Sequence, residues 1–193
     1  SPMDREQVGE RVYLDILNQA RNYVHIMTPY LILDDEMVNA LSYAAKRGID
    51  VKLIMPHIPD KKYAYMLART FYPELTRAGV KIYEYTPGFV HAKVFVSDDE
   101  KAVVGTINLD FRSLYLHFEC AAYIYRNPVV LDVEKDYQDT LMKCSRITME
   151  DCRDYSWGGR KLTADAAGGP PDVGGGVCFK DDFVLYEKHS GKL

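Results

Sequence analysis

The chain has 193 residues, 47% of them apolar, with 24 Lys and Arg against 28 Asp and Glu for a formal net charge of -4. That length fits one ordinary domain with an appendage, and the apolar share is enough for a core. The acidic balance argues against a nucleic-acid binder, which carries a basic footprint, and no apolar run approaches the ~20 residues of a membrane helix.

Residues 5–21 place Val8, Val12, Ile16 and Ala20 at helical spacing, which predicts a helix. Residues 23–27 are β-rich and stop at Thr28-Pro29, as a buried strand would. Asp34 is the expected N-cap of a helix running to Lys46, which Gly48 would end. A strand at 51–55, a helix at 61–77 that Gly79 would close and Pro73 could kink or divide, and a strand at 80–85 follow. After the turn Thr86-Pro87-Gly88, strands are predicted at 92–97, 102–105 and 118–125, then a helix at 129–144. Strands alternating with helices, then strands in succession, argue an α/β domain with a mixed β-sheet flanked by helices. That domain is assigned to residues 1–157, and the Gly/Pro-rich residues 158–193 to a flexible C-terminal tail.

Charge is unevenly spread. Lys46, Arg47, Lys52, Lys61, Lys62, Arg69, Arg77 and Lys81 outnumber Asp50, Asp60 and Glu74, whereas the acidic excess lies at 132–139 and 150–154. Such a basic stretch could meet anionic headgroups, although an ordinary solvated surface is its commoner meaning. Cys120, Cys144, Cys152 and Cys178 form no C-x-x-C pair and no zinc-type spacing with His, so they read as reduced thiols in a cytoplasmic setting. No signal peptide is evident, and residues 1–7 read as linker cut from a longer protein.

The informative stretch runs from His91 to Asn108 and reads H-x-K-x4-D-x6-G-T-x-N. If His91 and Lys93 lie in a strand, they point the same way, because side chains alternate. Thr106 and Asn108 share the same spacing at the end of the next strand, and Glu119 opens a third. This set suits attack on a phosphodiester without metal. The imidazole serves as nucleophile or general acid. Lys93 and Asn108 hold the non-bridging oxygens, and a carboxylate on the other ring nitrogen would fix the tautomer. Taken singly, His25, His57, His117 and His189 read as structural.

The run resembles the HKD motif of the phospholipase D superfamily at each defining position, with Thr106 where Ser is also common. Its flanks narrow the likeness. Tyr85 to Lys93, the run from Gly105 through Asn108, Asp110 and Arg112 to Ser113, and Leu116 to Glu119 are similar to the second HKD region of bacterial cardiolipin synthases. Thr28-Pro29-Tyr30 and Asp34-Asp35 fit as well, and the resemblance covers roughly residues 3–155. Beyond Trp157 it fails, which suggests a truncated or shifted reading frame, or an artificial junction.

The resemblance implies a phospholipase D-type domain forming the C-terminal half of the enzyme, with no metal and no cofactor. It makes His91 the catalytic histidine, Lys93 and Asn108 phosphate ligands, Thr106 their support and Glu119 the carboxylate that orients the histidine. Asp98 belongs to the signature but looks like a structural ion-pair partner, and Phe89 and Arg112 would line the substrate entrance. The implied partners are phosphatidylglycerol at the membrane surface, and either an N-terminal HKD half or a second copy of the chain. The implied location is the cell membrane, with the catalytic domain on its cytoplasmic side. The rival readings are a homodimeric phosphodiesterase or nuclease, and an inactive isolated half-domain.

Overall fold

Helical spacing of apolar residues makes α1 (Val8–Gln19), which buries Tyr13, Ile16 and Leu17. β1 (Tyr23–Met27) is buried at every position after the first, as a strand covered on both faces must be. A short β2 (Leu31–Ile32) precedes α2 (Asp35–Lys46), whose cap Asp34 accepts from Met37 N at 2.8 Å. β3 (Asp50–Pro56) leads to α3 (Lys62–Ala78), ended by Gly79 at φ +105°, a left-handed turn that glycine adopts freely. Then come β4 (Lys81–Tyr85), β5 (Val94–Ser97), β6 (Lys101–Gly105) and a short β7 (Leu109–Asp110). A π-helical turn (Arg112–Leu116), β8 (Ala121–Tyr125), α4 (Val129–Leu141) and β9 (Cys144–Arg146) complete the order. This computed structural model describes residues 6–152.

Among the described residues the main sheet has seven strands in the order β8-β6-β5-β1-β3-β4-β9. β1, β3 and β4 run parallel, while β5, β6, β8 and β9 pair antiparallel with their neighbours. β2 and β7 form a small parallel pair that aligns Leu31 with Leu109. α1, α2 and α3 cover one face, where Tyr13, Leu17, Leu41 and Tyr72 pack with Val24, Ile26, Leu53 and Phe95. α4 covers the other, setting Tyr137 with Met27, Ile54 and Val94, and Val130 with Val96 and Ala102. Each such side chain contributes roughly 1.5–3 kcal/mol.

This topology brings the ends of β1, β3, β4 and β6 and the starts of β5 and β8 to one edge of the sheet. β1 pairs parallel with β3 and antiparallel with β5, so its end lies between the end of β3 and the start of β5.

Several elements differ from the sequence reading. α3 is continuous through Pro73, because Tyr72 and Leu75 beside it are fully buried and hold the helix together. β8 starts at Ala121, and α4 stops at Leu141 so that Cys144 can enter β9. The cysteines 120, 144 and 152 are free thiols. His25 is buried between the rings of Tyr23 and Tyr137 with Nδ1 2.9 Å from Glu134, and His57 Nδ1 lies 2.7 Å from buried Glu84. The assigned tail, the boundary at 157, Cys178 and His189 lie outside the described residues.

Candidate active site

His91 and Lys93 precede β5 rather than lying within it, yet the two side chains still meet. Lys93 Nζ is 3.0 Å from each ring nitrogen of His91 and 2.6 Å from its carbonyl oxygen. The segment is anchored by the bond from Gly105 N to Lys93 O at 3.3 Å, so the end of β6 runs beside it. Lys93 is buried and His91 exposed. Burial pulls the Lys93 ammonium below its ordinary pKa, against the pull of Glu119, Asp110 and Asp60, which favour the charge. The Phe89 ring stands 5.6 Å from that of His91.

Gly105 faces Ala121 in the β6–β8 ladder, and a Cβ there would collide with the Cys120 carbonyl and the Ala121 backbone. Only glycine permits this approach, which places Thr106 against Cys120 and Glu119. Thr106 N donates to Cys120 O at 2.9 Å, its Oγ1 accepts from Cys120 N at 3.0 Å, and its hydroxyl donates to Glu119 in a short bond. Glu119 also lies 3.6 Å from His117 Nδ1. In place of the expected bond to the His91 ring, the Glu119 carboxylate therefore serves Thr106 and His117. The reason is positional, since Glu119 sits in the loop before β8 while Lys93 occupies the flank of the ring.

Asn108 is held by its neighbours. Tyr13 donates to Ile107 O at 3.0 Å, and Leu109 N donates to Thr28 Oγ1 at 3.2 Å. One amide hydrogen of Asn108 goes to Ser113 Oγ at 3.0 Å, and its buried Oδ1 has no partner. Ser113 N in turn donates to Asp110 Oδ1 at 2.7 Å, and burial raises the Asp110 carboxyl above its ordinary range. Asn108, Asp110, Arg112 and Glu119 line a cavity of about 140 Å³ together with Tyr30 and Lys61. The sequence reading gave no site role to Tyr30, Lys61, Asp110 or Ser113. The Asp110-x-x-Ser113 spacing, a cap signature, is the signal that was there to find.

Asp98 stands apart at the far end of β5, at φ +55°. Its carboxylate accepts from the backbone N–H groups of Arg21 at 2.8 Å, Asn22 at 2.8 Å and Tyr23 at 3.0 Å. Burial would raise its pKa, but these amides, with Lys101 nearby, hold it below the carboxylate range. The expected ion pair is thus a backbone clamp joining the β5–β6 turn to the α1–β1 junction.

Residues 13–141 match the family model described as cardiolipin synthase, PLD-like domain. The chain is 65% identical over 148 residues to an uncharacterized protein of Streptococcus mutans, covering 77% of this chain and 32% of that one. It is 37% identical over 156 residues to a cardiolipin synthase of Halalkalibacterium halodurans, covering 81% of this chain and 31% of the relative. The chain thus spans about a third of the length of these curated relatives. Among solved structures, Nuc, a phospholipase D family member from Salmonella typhimurium, superposes with a TM-score of 0.62 at 20% identity, covering 72% of this chain and 90% of Nuc. A phosphatidylserine synthase of Haemophilus influenzae gives a TM-score of 0.63 at 19% identity, covering 82% of this chain and 42% of that one. These two likenesses establish the shared fold.

Proposed function

The chain belongs to the PLD-like domain family of cardiolipin synthases, and from that premise we propose that it supplies one HKD half-site for phosphatidyl transfer between two phosphatidylglycerol molecules. The observation that carries this reading is the His91–Lys93 contact, beside Thr106, Asn108 and Glu119 on one edge of the sheet. A second half-site comes from an N-terminal HKD half or from a second copy of the chain.

One histidine attacks the phosphorus of phosphatidylglycerol, forming a phosphohistidine and breaking the bond to the glycerol oxygen. The other gives that oxygen its proton. The hydroxyl of a second phosphatidylglycerol, its proton returned to the same base, then attacks the phosphohistidine and leaves as cardiolipin. His91 is assigned the acid and base role. Lys93 binds a non-bridging oxygen with its partly desolvated charge, and the second amide hydrogen of Asn108 binds another. Glu119, through Thr106, steadies the end of β6 and favours the charged form of Lys93. Asp98 belongs to the scaffold. The complete enzyme works at the membrane, although no helix among the described residues is long and apolar enough to cross one.

The test is lipid analysis after incubating the assembled enzyme with phosphatidylglycerol. Equimolar cardiolipin and glycerol, formed without added divalent metal, are expected. Hydrolysis of DNA with no turnover of phospholipid would favour the nuclease reading instead.

A further inference from the structure

Apolar side chains stand exposed around the same sheet edge. Ile58 is 51% exposed in the β3–α3 connection, Met66 is 39% exposed on the first turns of α3, and Phe89 is 37% exposed beside His91. The β3–α3 connection and the β4–β5 connection, which carries Phe89, are tied together where they begin, because His57 N donates to Tyr85 O at 3.1 Å. Exposed Lys61 and Lys62 lie between Ile58 and Met66, and the nearby Asp60 carboxylate is engaged by the Tyr30 hydroxyl. The remainder of the chain is acidic overall.

We propose that this rim, Ile58, Lys61, Lys62, Met66 and Phe89, is a docking surface for an anionic phospholipid bilayer, seated so that the His91–Lys93 edge meets the headgroup layer. Apolar side chains set among lysines are what an interfacial contact needs. The former enter the headgroup–acyl boundary and the latter meet the negative surface. A protein partner would be better served by apolar residues without two solvated ammonium groups among them. The proposal rests on the reading that the substrate is a membrane phospholipid. It adds where the membrane touches the fold, and it makes contact independent of the phosphodiester site.

The experiment is cosedimentation of the chain with vesicles of phosphatidylcholine containing phosphatidylglycerol, and with vesicles of phosphatidylcholine alone. The wild-type chain is expected to bind the anionic vesicles several-fold better. Lys62→Glu should weaken that binding about fivefold or more. Ile58→Asp combined with Met66→Asp should weaken it at least about tenfold, with the melting temperature kept because both positions are exposed. Failure of the wild type to bind anionic vesicles would overturn the proposal, whatever the variants do, and so would binding unaffected by the two acidic substitutions. A wild-type dimer made monomeric by those substitutions, with vesicle binding unchanged, would make the rim a contact between copies instead. NMR titration with monomeric short-chain phosphatidylglycerol separates the two readings. Shifts at His91 and Lys93 would keep the phosphodiester site even where vesicle binding fails, and their absence would remove the phosphodiester reading while the vesicle result still decides the rim.

Discussion

Lys93 Nζ sits 3.0 Å from each ring nitrogen of His91, with the lysine buried and the histidine exposed. A desolvated cation is thereby fixed beside a ring that can approach substrate. Substituting Lys93 by Ala should lower kcat by roughly 10²- to 10³-fold, the scale of losing one oxyanion-stabilising group. Arg should not rescue it, since the buried site is shaped for an ammonium. Steady-state kinetics on phosphatidylglycerol check this, and near-normal turnover by Lys93→Ala would refute the phosphate-ligand role.

The two carboxylates of the constellation should separate. Glu119→Gln is expected to damage kcat with little change in melting temperature. Asp98→Asn should do the reverse, destabilising by about 1–3 kcal/mol as the clamp on the three backbone amides weakens. The Asp98 carboxyl is lowered in the fold, so its contribution is present above its unfolded pKa and disappears as pH falls through the folded one. The stability gap between wild type and Asp98→Asn should therefore close in acid. Comparing kcat and melting temperature for both variants decides the assignment, and a catalytically worse Asp98→Asn at unchanged stability would exchange the two roles.

What was legible in the sequence follows from what is local. The Asp34 cap, Gly79 at the end of α3, and the β-rich runs at β1, β3 and β4 are set by neighbouring residues, and the strands and helices stand where these place them. β2, β7 and β9 were not legible, because such short strands carry no periodicity and exist only through partners distant in the chain. The same holds for the site. The spacing of His91, Lys93, Thr106 and Asn108 identified the constellation, whereas the partners of Glu119 and Asn108 depend on the β6–β8 register and on the π-helical turn.

A buried acid cluster outside the site gives a pH-dependent prediction. Tyr115 OH lies between Glu10 and Asp34, and burial with the bond to Asp34 raises the Glu10 carboxyl to about 7, from 4.5. Between these values the folded chain holds a proton that the unfolded chain has lost. Stability from this group is thus full below the lower value, falls as pH rises to the upper one, and is level beyond it. Glu10→Gln should raise the melting temperature at pH 8 more than at pH 5. An equal change at both pH values would contradict the assignment.

Gly105→Ala should disturb both stability and site geometry. The added Cβ meets backbone atoms of Cys120 and Ala121, which cannot rotate away, so β6 and β8 must part. A loss of roughly 1–3 kcal/mol, the cost of overpacking, is expected from denaturant unfolding. Thermal stability equal to wild type would show that the ladder accommodates the methyl group.

The central claim is that His91 carries a proton during phosphatidyl transfer. The most direct measurement is cardiolipin formation from phosphatidylglycerol by the assembled enzyme with His91→Ala, alongside its melting temperature. Because His91 is exposed, the fold should be retained while transfer falls by roughly 10²- to 10⁴-fold or more, the scale of lost acid–base catalysis. Cardiolipin formation near the wild-type rate by a folded His91→Ala enzyme would contradict the account.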